Sequence, residues 1–319
     1  MEENFQEAFD YLETALRVSE KRKDIVSTIY VNFWLGYALA ANCQFGRAID
    51  HLEQVLNFHL KANNLAWIAV LKSLISYLFY YHKGDIYKAY KLCQEAVIIS
   101  EETGDIHPKL FAYSCYGVSL YAKGALNESK NVLLKALELS EKANQVWWRI
   151  GCNIYIGEVY FYIREFQKSQ YYFLEAIKRL EREKIYPSFL NLSKTALVRA
   201  QVAANSVNVD IESLESYSSK NMFGVVHGWI KRSIAEILLS LSNEYLLEAE
   251  EWIVQSINAD KKNGMKYQLG QDYAICAEIL KRKGKKAKAI DKFKKAIDIL
   301  EECGADGWVE KYEKELTEL

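Results

Sequence analysis

The stretch Trp34-Leu35-Gly36-Tyr37-Ala38-Leu39-Ala40-Ala41-Asn42-Cys43-Gln44-Phe45-Gly46-Arg47-Ala48-Ile49-Asp50-His51-Leu52-Glu53-Gln54-Val55 decides the fold. Its second half carries a small, a large and a small-to-medium apolar residue at Ala48, Leu52 and Val55. Spacings of four and then three lie on one face of a helix. The same stripe returns about every forty positions, led by Ala8, Ala48, Ala89, Ser129, Ser169, Ala249 and Ala289, with one missed step near Asp210. The large member is Leu12, Leu52, Cys93, Leu133, Phe173, Ile253 and Phe293, and the next is Ala15, Val55, Ala96, Ala136, Ala176, Ser256 and Ala296. Twelve residues before the leading position stands Gly36, Tyr77, Gly117, Gly157, Leu197, Ile237 or Ala277 on a second apolar helix. A glycine inside a helix costs about 1 kcal/mol against alanine, so its return predicts a close approach between helices. Polar turns such as Asn42, Lys83-Gly84-Asp85, Lys123-Gly124 and Lys283-Gly284-Lys285 join the two helices of each unit.

These residues resemble the tetratricopeptide repeat, whose first helix sets a leucine-glycine pair and an aromatic, and whose second carries alanine, a large apolar residue and alanine. Leu35-Gly36 with Ala48, Leu52 and Val55 matches well, as do Gly117 with Leu133 and Ala136, and Gly157 with Phe173 and Ala176. The period of about forty exceeds the usual thirty-four of the family, and its final proline is replaced by glycine ends such as Glu102-Thr103-Gly104-Asp105 and Asn263-Gly264. The resemblance implies an all-α fold, a right-handed α-solenoid superhelix of antiparallel helix pairs. The expected organisation over residues 1–319 is a half repeat at 3–21, then pairs near 25–62, 65–103, 106–143, 146–183, 186–222, 223–262 and 265–302, and a closing helix at 306–319. The fifth pair is degenerate, interrupted at Val207-Asn208-Val209-Asp210, and a softer joint is expected there. In the closing helix Trp308, Tyr312 and Leu316 fall on one face. A chain that opens halfway through a repeat has the look of a piece of something larger, or of a domain whose partner stands upstream.

Half the residues are apolar and 26% charged, enough for a core and too apolar for disorder. A net charge of -1 gives no general attraction to nucleic acid or to an acidic membrane. No stretch is long and apolar enough to span a bilayer. The six cysteines are scattered without a CxxC pair and suit a reducing compartment, so a cytoplasmic protein is expected. The run Lys281-Arg282-Lys283-Gly284-Lys285-Lys286-Ala287-Lys288, continued by Lys292 and Lys295, lacks interleaved aromatics and reads as a solvated edge. The five histidines show no metal-ligand spacing, and no GxSxG, P-loop or GxGxxG motif occurs. The expectation is therefore no enzyme, no catalytic residues, no metal and no cofactor.

The resemblance implies that the first helix of each pair lines an inner groove. Candidate ligand-facing residues are then Tyr30, Phe33, Tyr37, Tyr81, Phe111, Tyr121, Arg149, Asn153, Glu158, Phe161 and Lys194. Aromatic side chains offer rigid contact area with a polar handle, and a few polar groups fix orientation. An asparagine such as Asn153, in the position equivalent to Asn32, could clamp a peptide backbone. Long, tightly wound helices would instead pack these rings against one another as ordinary core. The partner expected is a protein or peptide, and the role a sensor or scaffold arm of a larger bacterial signalling protein, with an ATPase or cyclase module upstream. Two alternatives stand beside it: an adaptor that assembles two proteins, and a peptide-pheromone receptor. Receptors of that kind usually carry a DNA-binding or helical output segment before the repeats, and neither is seen in this chain.

Overall fold

Asp24, Asn64, Asp85 and Asp105 each start a helix by accepting from a backbone N–H two or three residues on, at 3.0–3.3 Å. Gly104, Gly124, Gly264 and Gly304 end helices in the left-handed conformation. Between such signals the computed structural model describes residues 5–205, 209–219 and 221–319. Residues 3 and 4 of the expected half repeat, and Val207 and Asn208 of the expected interruption, lie outside the described residues.

The helices are α1(Phe5–Arg22), α2(Ile25–Ala41), α3(Phe45–Lys61) and α4(Leu65–Ile75), the last prolonged by a π-helical segment, Ser76–Tyr81. Then come α5(Ile86–Thr103), α6(Ile106–Lys123), α7(Leu126–Lys142), α8(Val146–Tyr162), α9(Phe166–Glu183) and α10(Pro187–Ala203). A short α11(Ile211–Ser219), α12(Gly224–Leu241), α13(Leu246–Asn263), α14(Lys266–Arg282), α15(Lys286–Cys303) and α16(Asp306–Thr317) complete the chain. No strand occurs among the described residues. Consecutive helices pack as antiparallel neighbours, and the even-numbered ones also touch each other, α4 on α6, α6 on α8, α10 on α12 and α12 on α14. The even-numbered helices therefore form an inner layer and the odd-numbered ones an outer layer.

The repeated stripe is the seam between the layers. Leu52, Cys93, Leu133, Phe173, Ile253 and Phe293 are wholly buried, with their small neighbours Ala48, Ala89, Ala136, Ala176, Ala249 and Ala296. Burying each of Leu52, Leu133, Phe173, Ile253 and Phe293 stabilises the fold by roughly 1.5–3 kcal/mol over exposure. A Cβ on Gly36 or Gly117 would lie 2.6 Å from Leu52 or Leu133, and one on Gly157 would lie 2.7 Å from the Phe173 ring. The glycines thus bring the inner backbone onto the large residue of the outer helix. In α1 the stripe is looser, with Leu12 half-buried and Ala15 exposed. The short α11 buries only Leu214.

The coil closes on itself. Gln268 on α14 donates to the Tyr81 hydroxyl at 3.1 Å, and Trp308 Nε1 on α16 donates to the Tyr121 carbonyl at 2.9 Å, each joining residues 187 positions apart. Gly124 makes this possible with φ +82, because a Cβ there would meet the Gly307 backbone at 2.7 Å. Lys123 and Asp306 pair at 2.7 Å over the same junction.

Between α12, α13 and α14, Asp260 fills the space left by Gly228, whose Cβ would lie 2.1 Å from Asp260 Oδ1. Arg232 Nη1 reaches Asp272 Oδ1 at 3.0 Å. Burial, and then the neighbouring Asp272 carboxylate, push Asp260 well above the usual carboxylate range. Burial pushes Asp272 up to about 6 against the pull of Arg232.

Two glycines six positions apart on α8 test the seam. Gly157→Ala drives a methyl into Phe173 and is expected to lower stability by about 1–3 kcal/mol. Gly151→Ala meets nothing within 4 Å and is expected to raise stability by about 0.5–1 kcal/mol in urea unfolding. The buried acid is tested by pH. A carboxyl whose native pKa exceeds its unfolded value adds stability below the unfolded value and loses that contribution as pH rises through the native one. Asp260→Asn, neutral throughout, is expected to gain on wild type in urea unfolding as pH rises from about 5 to about 8, and an unchanged difference would refute a protonated Asp260.

Candidate functional site: the axis and its aromatic mouth

Buried side chains of the inner helices meet along the axis of the coil. Tyr77 and Tyr81 stack at 5.7 Å between ring centroids, held on one side of the π-helical segment. Such local widening of a helix re-aims side chains and is frequent at functional sites. Tyr155 of α8 stands edge-on to both, at 6.3 and 6.4 Å, and packs on Tyr121 and Trp229 at 5.8 and 5.7 Å. Its hydroxyl lies 3.4 Å from that of Tyr77 and 3.5 Å from that of Tyr81. Burial pushes Tyr77 up to about 12 and Tyr155 further, so these hydroxyls stay protonated.

Charged groups on the axis are matched within the chain. Arg199 Nη2 donates to Glu158 Oε1 at 2.5 Å and Nη1 to Glu236 Oε2 at 2.8 Å. The same guanidinium lies 4.0 Å from the centre of the Phe161 ring. Arg232 Nη2 donates to Gln268 Oε1 at 2.7 Å, and Tyr312 Oη to Gln271 Oε1 at 2.6 Å. Buried ions cost several kcal/mol each in lost hydration, and a bidentate arginine between two carboxylates recovers much of it.

At one end the axis opens into an aromatic mouth. Tyr30, Trp34 and Trp67 are 61%, 41% and 39% exposed. Trp34 contacts Tyr30, Phe33 and Tyr37 at 6.1, 5.3 and 6.1 Å, and Phe33 contacts Trp67 at 5.6 Å. Tyr37 then leads inward to a cavity of about 20 Å³ that it lines with Tyr77, His82, Trp147, Phe189 and Phe223. A second cavity of about 20 Å³ is lined by Ser114, Cys115, Trp148, Gly151, Cys152 and Tyr155, and shares Tyr77 and Trp147 with the first. Each has room for about one water molecule and none for a peptide. Trp147 lines both and is itself clasped by Tyr186 and Phe189 at 4.4 and 4.9 Å.

The structure divides the residues chosen from sequence into three groups. Tyr30, Phe33 and Tyr37 come together at the mouth, and Phe111 lies beside Trp148 at 4.6 Å. Tyr81, Tyr121, Glu158 and Phe161 sit in the filled axis, where an open groove was expected. Inner helices wound this tightly bring rings from opposite sides into contact, so these four pack against the chain itself. Arg149, Asn153 and Lys194 have local partners instead. Arg149 Nη2 lies 3.3 Å from the Ser140 and Glu141 carbonyls at the end of α7. The Asn153 amide donates to the Arg149 carbonyl at 2.7 Å, as Asn32 does to Thr28 at 2.8 Å. Lys194 pairs with Glu181 at 2.8 Å.

Sequence reading missed Trp147, Tyr155, Arg199 and Arg232. Arg232 is buried while the adjacent Lys231 is only partly so; a guanidinium is less strongly hydrated than an ammonium and is the better candidate for burial. Among the described residues no group of three or more His, Cys, Asp or Glu is placed to hold a metal, and no helix is long and apolar enough to cross a membrane.

No protein-family model matches the sequence, and no curated protein matches it. Solved structures do. A Rap conjugation gene regulator of the plasmid pLS20, in complex with the Phr* peptide, aligns with a TM-score of 0.65 at 14% identity over 89% of this chain and 77% of that chain. Aspartyl phosphate phosphatase F from Bacillus subtilis aligns with a TM-score of 0.58 at 17% identity over 89% and 73%. A signal transduction ATPase with numerous domains and a tetratricopeptide repeat sensor, from Pyrococcus horikoshii, aligns with a TM-score of 0.50 at 16% identity over 98% of this chain and 50% of that one. At these identities the likeness is one of fold, and the fold is the one expected: an all-α, tetratricopeptide-like solenoid of antiparallel helix pairs.

Proposed function

We propose that this chain is a non-enzymatic protein- or peptide-binding repeat array that takes its partner at the aromatic mouth. The observation that carries the reading is the aromatic cluster of exposed Tyr30, Trp34 and Trp67 with Phe33 and Tyr37, beside a small cavity that Tyr37 and Trp147 line together and a second one that Trp147 also lines. Exposed clusters of large aromatic residues mark association surfaces, and buried Trp and Tyr anchors dominate their energetics. The solved relatives in fold include a regulator in complex with a peptide and a repeat sensor attached to an ATPase, which supports a sensor or scaffold arm within a larger bacterial signalling protein. In that role a ligand that displaces Trp147 from the two cavities it lines shifts the population away from the closed coil, and an upstream ATPase or cyclase module reads the change. The short α11, with its single buried leucine, is the joint that yields. The matched ion pairs of Arg199 and Arg232 keep the unliganded coil shut.

The filled axis favours a second reading, an adaptor that joins two proteins through a fixed surface and never opens. Calorimetry of the whole chain against a library of apolar and aromatic peptides, with small-angle scattering of any complex, separates the two. The sensor reading expects binding, a change in radius of gyration, and a loss of about 1–2 kcal/mol or more in Trp34→Ala and Trp147→Ala. Unchanged dimensions in a bound complex favour the adaptor. Binding unaffected by both substitutions removes the mouth as the site.

A further inference from the structure

A second surface lies on the outside of the coil, where α13 and α15 flank a groove of about 680 Å³ floored by Tyr273, Cys276 and Leu280 of α14. Three ammonium groups converge on one ring there: Lys295, Lys261 and Lys292 Nζ lie 4.6, 5.7 and 5.9 Å from the centre of Tyr273. Lys288 lines the groove beside them. Lys292 pairs with Asp291 at 3.1 Å, while Lys261, Lys288 and Lys295 have no carboxylate within 4.0 Å among the described residues. The other carboxylate of the groove, Glu250, is engaged by Lys283 and by Lys285.

One other unit carries the same tyrosine–lysine pair. Four units earlier, 160 positions back, Tyr113 and Lys135 occupy the places of Tyr273 and Lys295. Lys135 Nζ stands 3.8 Å from the centre of the Tyr113 ring. The place of Lys261 is held there by Glu101, which accepts from the Tyr113 hydroxyl at 2.8 Å and pairs with Lys135 at 3.6 Å and Lys109 at 2.9 Å. There the preceding outer helix, α5, supplies a carboxylate to the tyrosine–lysine pair of the third unit. At the seventh unit the preceding outer helix, α13, puts an ammonium in that place. Like charges drawn to one ring repel, and the ring quadrupole offsets only part of this.

We infer that the α13–α15 groove binds an acidic peptide segment of a partner protein, one of whose carboxylates joins Tyr273, Lys261 and Lys295 as Glu101 joins Tyr113 and Lys135. Lys288 and Lys292 meet a further acidic residue, and Val254, exposed on the rim, with Leu280 below it receives an apolar side chain. With a net charge of -1, the whole chain has no general pull on acidic partners, so the attraction is local to this groove. The Lys281–Lys288 run is then the basic edge of a docking site.

The test is fluorescence anisotropy of the whole chain with a labelled short peptide rich in Glu and carrying one Leu. A Gln-for-Glu peptide and a single-stranded oligonucleotide serve as competitors. The Glu peptide is expected to bind, with the Gln version weaker by about ten-fold or more. Lys261→Glu, which rebuilds the third unit's arrangement, is expected to abolish binding while its melting temperature stays level or rises, so lost binding is not lost folding. Trp34→Ala is expected to leave this binding unchanged, which keeps the result separate from the mouth. No binding of the Glu peptide, binding indifferent to Lys261→Glu, or tighter binding of the oligonucleotide would each overturn the inference.

Discussion

A large side chain in the middle of most outer helices occupies space that a small residue on the preceding inner helix leaves open. Leu52 against Gly36, Leu133 against Gly117 and Phe173 against Gly157 are the clearest cases, each closer than a Cβ on the inner helix would permit. That contact fixes how near the two layers lie and how much each unit rotates on the last. Rotation accumulates over the array, and here it carries α14 and α16 back onto the π-helical segment and α6. The closed coil, the filled axis and the aromatic mouth all follow from that one spacing.

Closure changes what the inner residues are for. Along an open groove Tyr81, Tyr121 and Glu158 would wait for a ligand; in the closed coil Tyr81 and Tyr121 meet side chains from distant units and Glu158 meets Arg199 of the next inner helix. The hydroxyls of Tyr77, Tyr81 and Tyr155 gather at one point, and Arg199 is shared between Glu158 and Glu236 from the inner helices on either side of its own. A polar interior of this type is stable only when every buried charge finds its partner. Truncating Arg199 alone would leave two carboxylates facing each other out of water. The axis is thus both a core and a register: the inner helices must stop where these pairs align.

The two surfaces left over are of opposite character. The mouth is aromatic and nearly free of charge, suited to a partner that brings apolar side chains. The α13–α15 groove is cationic over an apolar floor, and its departure from the third unit's tyrosine–lysine–glutamate arrangement is visible because the chain repeats. In a repeat protein each unit is a control for the others, so a single exchanged residue, Lys261 for the equivalent of Glu101, is informative without any relative.

The sequence by itself determined the helical repeat, because periodicity and glycine punctuation are local signals written within each unit. The stripe of Ala48, Leu52 and Val55 and its returns needed no partner from elsewhere to be read, and neither did the pairing of inner and outer helices. The mouth was partly legible: Tyr30, Phe33 and Tyr37 share one side of α2, but Trp147 lies on a different inner helix, α8, and only the fold brings it to the cavity that Tyr37 lines. Only the tertiary structure decided that the axis is closed and that Arg232 is buried along it. Those outcomes depend on contacts between residues up to 187 positions apart. A small rotation per unit, summed over the whole array, sets them, and no window of sequence contains that sum.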